Sequence, residues 1–221
     1  MAEYDLSSHE QRPLVLMVPG LNNSGSSHWQ TLWEQQRDDC QRVELGMWAT
    51  PHRNTWVNKL NLAIAEAGRP VVLVAHSLGC LAVAWWAQLE KPESGHNVAG
   101  ALLVAPPEVD FFPADERLGT FAPTPSIKLP FPSILVASHN DPYMGFRTAR
   151  RLAETWGSRF AEAGRIGHVN GDSGIGDWPF GKFLLEQLLT RAQSADQTDA
   201  HQGATTGPRS TLASPFAERS L

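Results

Sequence analysis

The sequence is poor in cysteine, in positive charge and in long apolar runs, and each scarcity excludes a class of protein. Only Cys40 and Cys80 occur in 221 residues, which is too few for a disulfide framework or a cysteine-rich zinc site. The formal net charge of -5 argues against nucleic-acid binding. The first apolar run, residues 14–18, is too short for a signal peptide or a membrane span. We therefore expect a cytoplasmic protein without a membrane span.

The apolar residues that are present form short runs separated by helical patterns. A chain of this length can bury a sizeable core as one domain. Short runs rich in β-branched side chains that alternate with amphipathic helices are typical of a parallel sheet. The predicted strands are residues 14–18, 42–47, 71–75, 99–105, 134–137 and 160–163. The predicted fold class is therefore α/β, with a mostly parallel central sheet and helices on both faces.

Composition divides the chain into three parts. Residues 1–12 form a polar N-terminal arm, residues 13–192 the α/β domain, and residues 193–221 a polar tail that we expect to be disordered. Within the domain, residues 106–132 are rich in proline and phenylalanine and show no periodicity. Their aromatic side chains either wall an apolar substrate pocket or cover the top of the sheet.

A serine lies between the apolar run at residues 71–75 and the apolar helical pattern that begins at Leu81. This arrangement is typical of a nucleophile elbow, a sharp turn that exposes a serine hydroxyl at the N-terminus of a helix. Ala75 stands where the common Gly-x-Ser-x-Gly pattern has glycine. A serine at this place can also act only as a helix cap. Ser77 is the candidate nucleophile, and the other members of the site must decide between these readings.

An activated serine needs a base and an acid, which must come from loops at the carboxyl ends of neighbouring strands. Asp141 follows one predicted strand, and His168 lies in the glycine-rich loop after the last one. The chain order Ser, Asp, His favours His168 over His139 as the base. Asp110 follows the preceding strand and is a competitor of Asp141 for the acid.

An oxyanion on the substrate requires two fixed hydrogen-bond donors. The backbone N–H of Leu78, at the start of the helix, is one candidate, and the backbone N–H of Leu21 or Asn22 is the other. Further side chains are candidates for contact with the substrate because they lie beside the serine or in the loops around it: His76, Phe111, Phe112 and Trp178.

Four motifs occur in order along the chain: Pro-Gly-Leu-Asn-Asn-Ser-Gly at 19–25 with His28-Trp29, His-Ser-Leu-Gly at 76–79, Ser-His-Asn-Asp-Pro-Tyr at 138–143, and Gly-His-Val-Asn at 167–170 with Ser173-Gly174 and Asp177-Trp178. Together they resemble the small α/β-hydrolase family that includes the retinoblastoma-binding serine hydrolases and their bacterial relatives. The resemblance covers residues 13–189. It implies a compact hydrolase fold without a large cap domain, with Ser77 as nucleophile, Asp141 as acid and His168 as base.

The sequence thus predicts a serine hydrolase that cleaves carboxylic esters, or thioesters or amides, of small molecules through an acyl-enzyme on Ser77. The alternatives are a protein-interaction module with little turnover and an acyltransferase. The Leu-x-Cys-x-Glu signature expected for retinoblastoma recognition is absent. We expect no metal, because the sequence shows no clustering of zinc-type ligands, and no cofactor. No phosphate-binding glycine loop with lysine follows the first strand, which argues against a nucleotide. A monomer is the default expectation.

Overall fold

A single parallel sheet of six strands organises the protein. The computed structural model describes residues 12–93, 97–111, 113 and 115–204. The strands are β1 (Leu14–Val18), β2 (Cys40–Arg42), β3 (Val71–His76), β4 (Val98–Val104), β5 (Ser133–Ala137) and β6 (Arg159–Glu162). Their order in the sheet is β2-β1-β3-β4-β5-β6, and every neighbouring pair is parallel.

Helices cover both faces of this sheet. They are α1 (Trp29–Gln36), α2 (Arg53–Glu66), α3 (Leu78–Glu90), α4 (Phe146–Trp156) and α5 (Pro179–Ala204), with short 3-10 helices at Glu116–Phe121 and Gly171–Ser173. Side chains of α2, α3 and α4 pack on one face, and those of α1 and α5 pack on the other. The predicted α/β fold class, with a parallel central sheet between two layers of helices, is confirmed.

The central strand β3 is buried on both faces, which explains its unbroken apolar sequence. Val71, Leu73 and Ala75 belong to one core cluster, whereas Val72 and Val74 belong to the other. Successive side chains of a strand point to opposite faces, so a strand between two helical layers needs apolar residues at every position. The carboxyl end of β3 therefore emerges from the middle of the sheet, where the elbow begins.

The second strand differs from the prediction. Residues 42–47 were expected to be extended, but β2 is Cys40–Arg42 and pairs with β1. Gly46 and Met47 have φ angles of 64° and 47°, which end any extended conformation. Val43 and Leu45 are nevertheless buried. The apolar pattern thus reflected the burial of a loop and not strand pairing.

Helix α5 continues past residue 192, where the predicted domain ends. It runs to Ala204, so the first part of the predicted tail is helical. Residues 193–202 contain no glycine or proline, and extending a helix that is already docked costs little free energy because nucleation is complete. Residues 1–11 and 205–221 lie outside the described residues.

Two aromatic side chains of segment 106–132 belong to the core on one face of the sheet. Phe121 is fully buried with its ring centroid 5.4 Å from that of Trp56, and Phe131 lies 6.1 Å from Trp86. The covering role, one of the two readings from the sequence, therefore applies to these two phenylalanines. Within the described part of the chain, no helix combines the length and the apolar character needed to cross a membrane.

Candidate active site

The elbow between β3 and α3 holds Ser77 in a strained conformation. Its φ and ψ angles are 53° and -125°, a region that side chains rarely occupy and that is frequently found at functional sites. Two glycines allow the neighbouring backbone to approach. A Cβ on Gly79 would lie 2.2 Å from the carbonyl oxygen of Val18, and one on Gly20 would lie 2.8 Å from the Cβ of Ser77. The loop after β1 therefore packs directly against the elbow.

Ser77, His168 and Asp141 form a continuous chain of hydrogen bonds. The Oγ of Ser77 lies 2.9 Å from Nε2 of His168, and Nδ1 of His168 lies 3.0 Å from both carboxylate oxygens of Asp141. The three side chains come from the loops after β3, β5 and β6. All three are largely buried, which limits competition from water. The hydroxyl can donate to Nε2 while the Nδ1–H donates to the carboxylate.

The two competing residues lie elsewhere. The His139 ring stacks on Phe146 with 3.8 Å between centroids, and its Nε2 lies 3.5 Å from an oxygen of Glu162. Asp110 is exposed and accepts a hydrogen bond from the backbone N–H of Thr124 at 2.8 Å. Neither side chain contacts the hydrogen-bonded chain at Ser77, so the geometry favours His168 and Asp141.

The loops that carry Asp141 and His168 are tied to each other. Oδ1 of Asn140 accepts hydrogen bonds from the Ser138 hydroxyl at 2.9 Å and from the Gly167 N–H at 3.0 Å. The backbone N–H of Tyr143 donates to Oδ1 of Asp141 at 2.9 Å. These bonds fix the carboxylate and the peptide before His168 in one arrangement.

Two further histidines lie behind His168. The His76 ring centroid is 4.7 Å from that of His28 and 5.0 Å from that of His168. Burial, followed by the charges of Arg42 and His168, lowers the pKa of His28 to about 4. Burial also lowers the pKa of His76 well below its ordinary value, and its two histidine neighbours lower it further. Both rings are therefore neutral near pH 7.

His28 also fixes the start of α1. Its Nδ1 accepts a hydrogen bond from the backbone N–H of Gln30 at 3.2 Å, which satisfies one of the free donors at a helix N-terminus. Gln30 is fully buried and donates from Nε2 to the carbonyl of Val74 at 2.9 Å. Helix α1 is thereby attached to the strand that leads into the elbow.

One predicted oxyanion donor is occupied. The backbone N–H of Asn22 donates to the carbonyl of Trp48 at 2.9 Å, which favours Leu21, the other candidate, as the second donor. Its φ of 62° turns the peptide toward the 48–50 loop. Leu78 begins α3, where backbone N–H groups lack an intrahelical acceptor. A Cβ on Gly20 would lie 3.2 Å from the Leu78 nitrogen, so the peptide of Leu21 runs close to this donor.

A cavity of about 350 Å³ opens over the serine. Most of the residues that line it have polar side chains, among them His76, His28, Asn22, Tyr143, Asn170 and Asp172. A larger cavity of about 670 Å³ lies between Lys128 and Arg191 at the amino ends of β5 and β6, the edge opposite the elbow. Because chemistry in parallel sheets takes place at the carboxyl ends of strands, the smaller cavity is the candidate active site.

The residues predicted to contact the substrate lie in different places relative to this cavity. His76 lines it, whereas Phe111 and Trp178 do not. Phe111 is 75% exposed. Trp178 is buried and its ring packs against those of Trp29, Trp33 and Phe180. Its apolar surface is therefore covered by other side chains and does not face the cavity. Phe112 lies outside the described residues.

Several lining residues were not assigned a role from the sequence, and Tyr143, Asn170 and Asp172 are three of them. Tyr143 has its ring centroid 4.3 Å from that of His168, and Asn170 and Asp172 belong to the loop that follows His168. Tyr143 and Asn170 are within the motifs that carried the family resemblance, which was the available signal. Nothing in the residue type of Asp172 distinguished it from other exposed acids.

A family model described as serine hydrolase matches residues 15–187. The chain belongs to this family. Among solved structures it is similar to a YdeN-like hydrolase from Pectobacterium atrosepticum SCRI1043, with 32% identity and a TM-score of 0.70 over 85% of this chain and 95% of that one. The ydeN gene product of B. subtilis has 21% identity and a TM-score of 0.67 over 80% and 99%.

A thermophilic esterase from Thermogutta terrifontis shares the fold at 14% identity, with a TM-score of 0.59 over 81% of this chain and 90% of that one. A search of curated proteins found no match. The family match and the similarity to the YdeN-like hydrolase thus confirm the resemblance seen in the sequence, and they support hydrolase activity.

Proposed function

We propose that this serine hydrolase cleaves small carboxylic esters through an acyl-enzyme on Ser77. The observation that carries the proposal is the unbroken series of hydrogen bonds from the Ser77 hydroxyl through both nitrogens of His168 to the carboxylate of Asp141. This is the arrangement that a weak alcohol nucleophile needs, because a base must accept its proton and an acid must hold that base in the correct tautomer.

In the proposed acylation step, the Oγ of Ser77 forms a bond to the ester carbonyl carbon while its proton passes to Nε2 of His168. The carbonyl oxygen becomes an oxyanion, which accepts hydrogen bonds from the backbone N–H groups of Leu78 and Leu21. When the tetrahedral intermediate collapses, the bond to the alcohol breaks, and the alcohol oxygen takes the proton from Nε2. Asp141 accepts the hydrogen bond of Nδ1–H throughout.

Deacylation repeats these steps with water. His168 accepts a proton from water as the water oxygen attacks the acyl carbon, and Ser77 recovers the proton when it leaves. The carboxylic acid and the free enzyme result. Transfer of the acyl group to an alcohol would use Ser77, His168 and Asp141 in the same way. Whether the acceptor is water or an alcohol therefore depends on which of them the cavity admits.

The size and polarity of the cavity support small substrates. A volume of about 350 Å³ is near the lower end of the range for ligand sites, and most of the described lining side chains are polar. Phe111 and Trp178, two aromatic candidates for contact with the substrate, do not line it. We therefore expect short acyl esters to be better substrates than long ones.

Labelling with a fluorophosphonate tests the nucleophile. Wild-type protein should react rapidly, with the adduct located at Ser77 by peptide mass spectrometry, whereas Ser77→Ala and His168→Ala should not react. The matched control is His139→Ala, which removes a histidine near Asp141 that lies outside the hydrogen-bonded chain and should label at the wild-type rate.

A panel of esters, thioesters and amides with acyl chains of increasing length then defines the substrate class. Folded wild-type protein that fails to label, or that labels at another residue, would contradict the proposal. Activity that increases with long acyl chains would contradict the assignment to small esters while leaving the nucleophile in place.

A further inference from the structure

The peptide that follows the proposed base is held in an unusual conformation. Val169 is fully buried and has a φ angle of 52°. A β-branched residue in the left-handed region is a strong outlier and persists only where surrounding contacts determine the backbone. Gly167, on the other side of His168, has a φ angle of 65°. His168 therefore lies between two residues with left-handed backbone, and its direction depends on how this backbone is held.

Two buried ring N–H groups hold the carbonyls of this segment. Nε1–H of Trp29 donates to the carbonyl oxygen of Val169 at 2.7 Å, and Nε2 of His76 lies 2.9 Å from the carbonyl oxygen of His168. Trp29 is the first residue of α1 and His76 the last residue of β3. Side chains from α1 and β3 thus hydrogen-bond to the carbonyl oxygens of two successive residues, Val169 and His168.

The chemistry of these contacts fixes the state of His76. A carbonyl oxygen can only accept, so Nε2 of His76 must carry the proton. Burial lowers the pKa of His76 well below its ordinary value, and the ring keeps this neutral donor form without adding a positive charge next to His168. Nδ1 of His28 caps the first turn of α1, which sets the place from which the Trp29 indole reaches Val169.

We propose that Trp29 and His76 are positioning residues that lock the His168–Val169 backbone, so that the imidazole spans Ser77 and Asp141. This inference rests on the proposed function of the same site and adds to it the groups that orient the base. Trp29 is absent from the described lining of the cavity. Its removal should therefore lower kcat and leave KM nearly unchanged.

The main test replaces the Trp29 donor and compares it with a neighbouring one. Trp29→Phe keeps an aromatic ring and removes the N–H. Trp33→Phe is the matched control, because Trp33 is also fully buried, lies 4.7 Å from Trp29 between ring centroids, and donates its Nε1–H to a loop carbonyl, that of Asp177, at 2.8 Å. The two variants lose the same kind of bond from the same cluster.

We expect both variants to lose similar thermal stability, but only Trp29→Phe to react more slowly. Its rate of fluorophosphonate labelling and its kcat on a short ester should fall about tenfold, the factor that corresponds to the loss of one buried hydrogen bond. Amide hydrogen exchange should increase in the peptide containing residues 167–170 for Trp29→Phe, and near Asp177 for Trp33→Phe.

A second pair of variants keeps the inference testable if Trp29→Phe does not fold. His76→Leu removes the N–H group that donates to the His168 carbonyl. His76→Gln supplies a side-chain amide N–H that can donate to the same carbonyl. The labelling rate should fall in His76→Leu and recover, at least in part, in His76→Gln. Equal labelling rates for these two variants would overturn the role of His76.

The two levels of the proposal fail in different ways. Wild-type protein that does not label at Ser77 would overturn the proposed function and, with it, the inference. Wild-type protein that labels at Ser77, together with Trp29→Phe and Trp33→Phe that label at the same rate, would overturn the positioning role of Trp29 and leave the hydrolase mechanism in place.

Discussion

The hydrogen bonds of Asp141 fix the direction of its carboxylate. One oxygen accepts from the backbone N–H of Tyr143, and both oxygens face Nδ1 of His168. A neutral carboxamide at this position would present an N–H to Nδ1 in one of its orientations. It would then favour the tautomer of His168 that carries its proton on Nε2, which cannot accept the proton of Ser77.

Asp141→Asn should therefore lower kcat by several orders of magnitude, on the order of 10⁴ in a comparable triad, with little change in thermal stability. Asp110→Asn is the matched control, since Asp110 accepts a hydrogen bond from the backbone N–H of Thr124 and does not line the cavity, and its kcat should stay at the wild-type value. Ester hydrolysis at saturating substrate measures both. Near-normal turnover of Asp141→Asn would contradict the assignment of the acid.

Candidate side chains could be named from the sequence at this scale, whereas backbone roles could not. Ser77, Asp141 and His168 were singled out because few residue types can serve in such a site and because each follows a strand. The use of the Asn22 N–H by Trp48 depends on the path of a loop, and no residue type encodes it. Trp178 was likewise assigned to the substrate, but its ring packs against Trp29 and Trp33, two core residues distant in sequence.

At the scale of elements, the contact between β1 and α3 decides where the elbow lies. Gly79, in the first turn of α3, sits against the backbone at the end of β1, and an added Cβ would lie 2.2 Å from the Val18 carbonyl oxygen and 2.7 Å from that of Pro19. These are backbone atoms, which cannot rotate away as a side chain can. The helix approaches the strand this closely only because the residue is glycine.

Gly79→Ala separates two opposing effects on stability. Helix propensity alone would stabilise the variant by about 1 kcal/mol, whereas the clash requires α3 and β1 to move apart, which typically costs about 1–3 kcal/mol or more. We expect the clash to dominate, so that the free energy of unfolding in urea decreases. Gly119→Ala is the control, because a Cβ there meets no atom within 4 Å. A more stable Gly79→Ala would contradict the close packing.

The same scale explains which elements the sequence could predict. Strands β1 and β3–β5 are buried on both faces or nearly so, and their continuous apolar runs identified them. The edge strand β2 has no such run, since Cys40, Gln41 and Arg42 are only partly buried or exposed. Its position is determined by pairing with Val15 and its neighbours, a long-range contact that local sequence does not contain.

At the scale of the whole molecule, neutral histidines enclosed by three elements couple stability to pH. His28 belongs to the start of α1 and His76 to the end of β3, and both pack behind the loop of His168. Each pKa is lowered in the folded state, so the unfolded chain binds more protons below pH 6.5. Stability from these groups is therefore present above the unfolded pKa and decreases as pH falls through it toward the folded pKa.

For His28, the folded pKa of about 4 against the ordinary 6.5 corresponds to a loss of about 2 kcal/mol of unfolding free energy between pH 7 and pH 5. His28→Asn keeps a residue that caps helices well and removes the titrating ring. Between pH 7 and pH 5, the free energy of unfolding measured in urea should decrease in both proteins, and the decrease should be about 2 kcal/mol smaller for His28→Asn than for wild type.

His52→Asn is the control, because His52 is an exposed N-cap residue of α2 without a side-chain cap bond, and it should keep the wild-type pH dependence. Parallel curves for wild type and His28→Asn would show that His28 is protonated in the folded protein at pH 5, which would remove the acid sensitivity from this cluster.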